Sequence, residues 1–277
     1  MHMHAQHRRF FATSREQQLP LYMESIGFNP AQERFSRPRG YLYYHWLQTI
    51  RGEGKFTFGG TTLLMKENTG VLLLPNEPHQ YEPVSEVWET MYITFLGPQV
   101  AAILSSLGLN LSSYYQWDQP SELTTYASEV LNSMASDRDV SGLDASGDLY
   151  RFLIVLKKHG RINNLPSVSH AVERLMPVLA LMEQGFDDPN LGLDDMAIEV
   201  GLSARHLNTL FKQTFGMTAY AYFILYRIRK AKELMTAYSD ITGKEIAQRV
   251  GFRDVSHFVA TFRRIEGVTP EQFRNLY

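Results

Sequence analysis

The chain contains no cysteine, which removes several chemistries at once: a disulfide framework, a thiolate nucleophile, and any cysteine-based zinc or iron–sulfur site. That absence is compatible with any compartment. Long apolar runs are missing too, none approaching the roughly 20 residues that span a bilayer. The opening residues, Met1 to Arg9, lack the apolar core of a secretory signal and read as a polar, mobile tail. A cytoplasmic protein with no membrane partner is expected. Neither sign of charge is in excess, with 27 Lys and Arg against 29 Asp and Glu and a formal net charge of -2, so the whole-chain balance gives no hint of a nucleic-acid partner. What the chain has in quantity is apolar and aromatic: 15 Tyr and 16 Phe within a 44% hydrophobic composition exclude disorder. At 277 residues it can build two domains, each with its own core.

The distribution of charge says more than its sum. From Gly201 onward there are twelve Lys and Arg against six Asp and Glu, a localised basic surface of the kind phosphate contact requires. An ordinary solvated face is the competing reading. The same stretch repeats itself. Asp195-Met196-Ala197-Ile198-Glu199-Val200-Gly201-Leu202 recurs as Glu245-Ile246-Ala247-Gln248-Arg249-Val250-Gly251-Phe252. Ala197, Val200 and Gly201 match Ala247, Val250 and Gly251 at an offset of fifty, whereas Phe211, Gly216 and Thr218 match Phe262, Gly267 and Thr269 at fifty-one. One residue is therefore inserted in the second turn. A short helix, a glycine turn and a second helix is the helix-turn-helix layout, which places its second helix in a DNA major groove.

Earlier in the chain the pattern differs. From Tyr41 to Phe95, aromatic and β-branched segments are broken by turn signals such as Gly52-Glu53-Gly54, Gly59-Gly60 and Pro75-Asn76, which predicts short strands in a barrel or sandwich. Val71 to Leu74 reads as buried on both faces. Gln99 to Leu107, Ser121 to Met134 and Ser146 to His159 show helical spacing. A polar, proline-containing stretch places a linker at 163–167, between domains at 1–162 and 168–277. The expected class is α+β: a cupin-like N-terminal β-barrel with trailing helices, then an all-α domain with two helix-turn-helix motifs.

In the first copy, Leu207, Leu210 and Phe211 are expected to be buried, leaving Arg205, His206, Asn208, Thr209, Lys212 and Gln213 outward as candidates for base edges and phosphates. In the second copy Phe258 and Phe262 are buried, and Arg253, Val255, Ser256, His257, Val259, Ala260, Arg263 and Arg264 are presented. Ser203 and Asp254 are the expected N-caps. For each polar residue, simple solvation is the alternative.

These residues carry a resemblance. Val200-Gly201-Leu202-Ser203, Arg227-Ile228-Arg229-Lys230-Ala231, Val250-Gly251-Phe252, Thr261-Phe262-Arg263-Arg264 and Gly267-Val268-Thr269-Pro270 resemble the DNA-binding domain of the AraC/XylS family of transcription regulators. The resemblance implies recognition helices about 34 Å apart on groove segments about 10 bp apart. Many members carry arginine where this chain has Thr209 and Ala260, and serine or similar where it has Val259. The second helix is accordingly expected to read thymine methyls or to anchor through phosphates.

The N-terminal half resembles the cupin-type ligand-binding domain of arabinose-responsive members, through Gly40-Tyr41, Thr49 to Gly54, Leu74 to Tyr81 and Trp88 to Phe95. By that resemblance Arg37 is the anchor of a sugar hydroxyl, Tyr81, Thr90 and Tyr92 line the pocket with Trp88 and His79, and Pro20 lies in an arm, Leu19 to Tyr22, that folds over ligand. His79 alone stands near a cupin metal position, and His45-Trp46-Leu47 is not the His-x-His pair a metal needs, so neither metal, cofactor nor catalytic residue is expected. Leu149, Phe152, Leu153 and Leu156 are expected to form a homodimer contact, with packing on their own barrel as the alternative. The implied function is a sugar-responsive activator of carbohydrate-use genes, binding double-stranded operator DNA and RNA polymerase. A cupin enzyme with an appended DNA-binding module and a ligand-independent regulator are the other readings.

Overall fold

A computed structural model describes residues 7–10, 13–134, 142–162, 167–238 and 240–276. It divides into two compact units, Met1–Ser169 and His170–Tyr277. The linker expected at 163–167 falls mostly outside the described residues.

The first unit carries ten strands among the described residues: β1 (His7–Phe10), β2 (Tyr22–Asn29), β3 (Phe35–Arg37), β4 (Tyr44–Arg51), β5 (Gly54–Phe58), β6 (Thr61–Met65), β7 (Thr69–Leu73), β8 (His79–Pro83), β9 (Glu89–Leu96) and β10 (Ser113–Gln116). Helices α1 (Val100–Leu107), α2 (Glu122–Met134) and α3 (Leu143–His159) follow the order their spacing predicts. The strands pair as one sheet in the order β1-β2-β9-β4-β7-β10 and another in the order β3-β8-β5-β6. No backbone ladder joins the two among the described residues, so the expected barrel is an open two-sheet sandwich. Strand β10 meets β6 through a side chain instead: the Tyr114 hydroxyl donates to the Leu64 carbonyl at 3.1 Å. The chain crosses between sheets at tight turns. At Gly52, with φ of +77°, a Cβ would lie 2.0 Å from the Val87 carbonyl oxygen, so only glycine fits that corner.

The period of two along each strand separates two cores. Trp46, Met91, Ile93 and Phe95 face the helices with Leu149, Phe152, Leu153 and Leu156. Leu47, Val71, Phe56, Tyr81 and Trp88 pack between the sheets. All of β7 is buried, including Val71 to Leu73 of the apolar run, whereas Leu74 just beyond it is half-buried.

Three expectations are corrected here. The α3 stripe expected at a homodimer contact is buried against its own sheet, each of its four residues being 1% exposed or less, because those apolar faces cover Trp46 and its neighbours. His7 to Arg9, expected in a mobile tail, lie in β1, which pairs antiparallel with β2, where the edge strand offers free backbone groups. The segment around Pro20 is not a loose arm at its far end: Leu21 and Tyr22 are buried, and Ser146 Oγ donates to the Leu21 carbonyl.

The second unit is built from α4 (Val168–Gln184), α5 (Leu193–Glu199), α6 (Ala204–Phe215), α7 (Ala219–Ala237), α8 (Gly243–Arg249), α9 (Val255–Glu266) and α10 (Pro270–Arg274). It has two cores. Leu175, Met182, Met196, Leu207, Phe211 and Phe223 form one, and Ile228, Ile246, Val250, Phe258, Phe262 and Phe273 the other. Helix α7 contributes to both.

Candidate functional site: a doubled helix-turn-helix and a polar sandwich interior

The internal repeat is reproduced cap by cap. Helix α5 ends where Leu202 N–H donates to Ala197 O at 2.9 Å, and α8 ends where Phe252 N–H donates to Ala247 O at 2.8 Å. The turn glycines are left-handed, Gly201 at φ +63° and Gly251 at +75°. Ser203 then caps α6 by accepting from His206 N–H at 3.3 Å, and Asp254 caps α9 by accepting from His257 N–H at 2.7 Å. The inserted residue falls between glycine and cap, three residues from Gly201 to Ser203 and four from Gly251 to Asp254. Gly216 and Gly267 end the second helices, and Thr218 and Thr269 cap α7 and α10.

On α6, Arg205, His206, Thr209, Lys212 and Gln213 are exposed, over a face buried through Leu207, Leu210 and Phe211. Asn208 departs from expectation. Its Oδ1 accepts from Ala219 N–H at 3.1 Å, so the oxygen expected to meet a base edge ties the half-buried side chain to the first turn of α7. On α9, Ser256, His257, Ala260, Arg263 and Arg264 are exposed, and Val255, Ser256, Val259, Ala260 and both arginines line one shallow concavity with Thr269. Arg253 is exposed, with one guanidinium nitrogen donating to Asn190 Oδ1 at 2.5 Å.

What holds the two copies in register is a residue that spacing alone did not single out as functional. Arg227 on α7 is only 3% exposed. It donates to the carbonyls of Phe186 at 2.9 Å and Asp188 at 2.6 Å, and its guanidinium lies 4.1 Å from the centroid of the Phe223 ring. The turn of the second copy rests on the same group: a Cβ at Gly251 would lie 2.5 Å from Phe186 O and 2.7 Å from Arg227 Nη2.

In the first unit, the space between the sheets has an apolar end and a polar end. Tyr81 stacks on Phe56 at 5.2 Å and on Phe35 at 5.6 Å. Trp88 Nε1–H donates to Thr49 Oγ1 at 3.0 Å, and Thr90 Oγ1 donates to Gln32 Oε1 at 2.8 Å. These three sequence candidates are therefore buried, and the Trp88 and Thr90 polar groups have protein partners. Pro20 is exposed and accepts from Gln99 N–H at 3.0 Å.

The polar end brings the remaining candidates together with one that the spacing of the chain did not mark. Arg37 and His79 stand opposite each other in the β3–β8 ladder. The His45 ring lies 5.6 Å from His79 and 6.3 Å from Tyr92. Tyr92 can lie there because Gly27 has no side chain; a Cβ would come within 2.6 Å of it. Arg37 sits 3.8 Å above the Tyr41 ring. His79 Nδ1 bonds to the Glu77 carbonyl at 2.7 Å. Burial, then His79 and the Arg37 charge, push the His45 pKa well below its ordinary value. Burial also lowers that of His79, against the opposing pull of the Glu77 carbonyl. Both rings are thus neutral at neutral pH. Arg37 Nη1, His45 Nδ1 and His79 Nε2 are buried without a hydrogen-bond partner. Lone inward-facing His45, alternating with Leu47 and Thr49 along β4, was the available signal. An open cleft of about 370 Å³, lined by Pro38, Phe58, Glu77, Pro78 and others, reaches this cluster at His79. Among the described residues, no group of three or more His, Cys, Asp or Glu could hold a metal ion, and no helix is long and apolar enough to cross a membrane.

Residues 20–153 match the AraC-like ligand binding domain and residues 196–276 match a helix-turn-helix domain. The chain belongs to the AraC family. The first match of this AraC-family regulator runs from the edge of β2 into α3, and the second covers both helix-turn-helix copies. It is 24% identical over 261 residues to the HTH-type transcriptional activator RhaS of Escherichia coli O1:K1 / APEC, covering 90% of this chain and 92% of that one. Among solved structures it is similar to an AraC-type transcriptional regulator from Chromobacterium violaceum, at 31% identity and TM-score 0.36 over 39% of this chain and 94% of that one. It is also similar to ToxT from Vibrio cholerae O395, at 16% identity and TM-score 0.33 over 92% of this chain and 97% of that one. A DNA-binding regulator with a ligand-binding domain is the established frame.

Proposed function

We propose that this regulator is an effector-responsive activator of carbohydrate-use genes. It inserts α6 and α9 into successive major-groove segments of an operator and takes a sugar at the polar end of its sandwich. The observation that carries the reading is the pair of helix-turn-helix copies whose second helices are each side-chain capped and present an exposed face above a buried apolar one. Arg205, His206, Thr209, Lys212, Gln213, Ser256 and His257 are its base and phosphate contacts, Arg253 a flanking one, and Arg263 and Arg264 hold phosphates. The similar relative named as a transcriptional activator supports the sign of regulation. A homodimer and RNA polymerase complete the assembly. The effector is held by Arg37, His79 and Tyr92, with Tyr81 and Trp88 forming the floor. A ligand acts here only through different affinity for two states of the protein.

Footprinting on genomic fragments, with and without a panel of sugars, tests this. A protected segment spanning two adjacent groove faces is expected, with affinity altered by one sugar. Uniform protection of every fragment would sink the reading.

A further inference from the structure

We propose that the effector is an acid: a carboxylate-bearing sugar or polyol whose carboxylate pairs with Arg37 beside the free nitrogens of His45 and His79. This rests on the effector reading above and narrows its chemistry.

Arg37 is the cation at this end of the sandwich. Its Nη1 is buried with no acceptor, and no carboxylate lies within ion-pair distance of it among the described residues. The guanidinium is half-buried, with this one nitrogen shielded from water and lacking an acceptor, so it gains when an acceptor arrives. The two carboxylates around this end are already engaged. Glu24 Oε2 accepts from the Ser25 hydroxyl at 2.9 Å, the Thr94 hydroxyl at 2.5 Å and the Tyr41 hydroxyl at 3.5 Å. Glu77 Oε2 accepts from Ser112 Oγ at 3.3 Å, while its carbonyl holds His79. The chain thus supplies a cation and keeps its own anions occupied elsewhere.

The histidines point the same way. They are 4% and 5% exposed, and each presents an unpartnered nitrogen. Because His79 Nδ1–H is tied to the Glu77 carbonyl, a proton added to that ring goes on Nε2. The groups acting on the pair are Arg37 on β3 and Glu77 before β8, with Tyr92 on β9 against His45; Tyr41 and Glu24 lie next to Arg37. Burial chiefly keeps the rings neutral and the Arg37 charge adds to it; an incoming carboxylate offsets that charge and gives a protonated ring a counter-charge. His79 then takes up a proton and becomes a second charged donor beside the arginine. A neutral hydroxyl gives Arg37 an acceptor but leaves its charge unanswered, and charge-assisted hydrogen bonds are roughly twice as strong as neutral ones. A phosphate brings about two charges toward Glu24 and Glu77 and fits less well.

The test uses the full chain at pH 7 in calorimetry and thermal shift. Galacturonate, glucuronate and gluconate are compared with galactose and glucose, and with glucose 6-phosphate. At least one sugar acid should bind about tenfold or more tightly than its neutral counterpart. Arg37→Gln should bring the acid down to the neutral sugar's affinity. His79→Asn places an amide donor where Nδ1 was and deletes Nε2; it should weaken the acid several-fold more than it weakens the neutral sugar. The melting temperature of each unliganded variant checks folding, and either variant suffices if the other unfolds. Equal or tighter binding of a neutral sugar overturns the acid while leaving the effector reading intact. Preference for the phosphate, or no acid binding, overturns it too. The effector reading fails separately, if no metabolite extract alters the wild-type footprint.

Discussion

The first and second helix-turn-helix copies share their scaffold and differ in what they show to solvent. Both close their first helix on a left-handed glycine, cap the second through a side-chain oxygen and bury phenylalanine at matching places. Yet α6 presents Arg205, His206, Thr209, Lys212 and Gln213, while α9 presents Val259 and Ala260 between Ser256 and a C-terminal arginine pair. Duplication preserved the residues that fold each copy and released those facing outward. The difference is what the proposed division of labour requires, hydrogen-bond readout by α6 and methyl contacts with phosphate anchoring by α9.

Removing the buried phenylalanines tests whether the scaffolds are equivalent. Phe211→Ala and its counterpart Phe262→Ala are each expected to destabilise by about 3–5 kcal/mol, measured by denaturant unfolding. A large difference between them would show that one copy leans on the other. The glycines should not be equivalent. A Cβ at Gly201 meets nothing within 4 Å, whereas at Gly251 it strikes Phe186 O and Arg227. Gly201→Ala should cost about 1–2 kcal/mol of backbone strain alone. Gly251→Ala should cost clearly more; the reverse order would break the account of Arg227 as the brace between copies.

The reading faces are compared in binding assays. Gln213→Ala on α6 should relax base preference at one operator position by about 1–3 kcal/mol. Arg263→Ala or Arg264→Ala on α9 should weaken all sequences alike and reduce the salt slope by about one. If the α9 arginines change sequence preference instead, the division of labour is wrong.

The caps give the smallest effects. Ser203→Ala and Asp254→Ala should each lose about 1 kcal/mol, with Asp254 the larger because its bond is shorter and charged. The second copy also has a pH signature. Glu245 is held below its ordinary carboxyl pKa of 4.5 by the Thr242 backbone N–H and hydroxyl. A depressed folded pKa means its contribution is complete above the ordinary value and lost as pH falls through the depressed one. Residue-resolved NMR titration of Glu245 should show a midpoint below that of the Glu245 carboxyl in the unfolded chain; an equal or higher midpoint would remove the effect.

Much of the second unit could be read from the chain. Its caps, turn glycines and apolar stripes act within a few residues through backbone geometry, and a fifty-residue self-match doubled each signal. The first unit was legible as strands followed by helices, not as two unjoined sheets. The α3 stripe shows why: Leu149, Phe152, Leu153 and Leu156 have the same spacing whether they meet a second chain or their own Trp46.

The candidate site divides the same way. Sequence alone determined that two duplicated helical probes follow a β-rich receptor, because periodicity and capping are local properties of the chain. Only the tertiary structure decided that Asn208 is spent on Ala219, that Arg227 braces the two copies, and that His45 joins Arg37 and His79. Each of those outcomes depends on a partner between eleven and forty-one residues away, and no local pattern specifies which distant backbone or ring a side chain will meet.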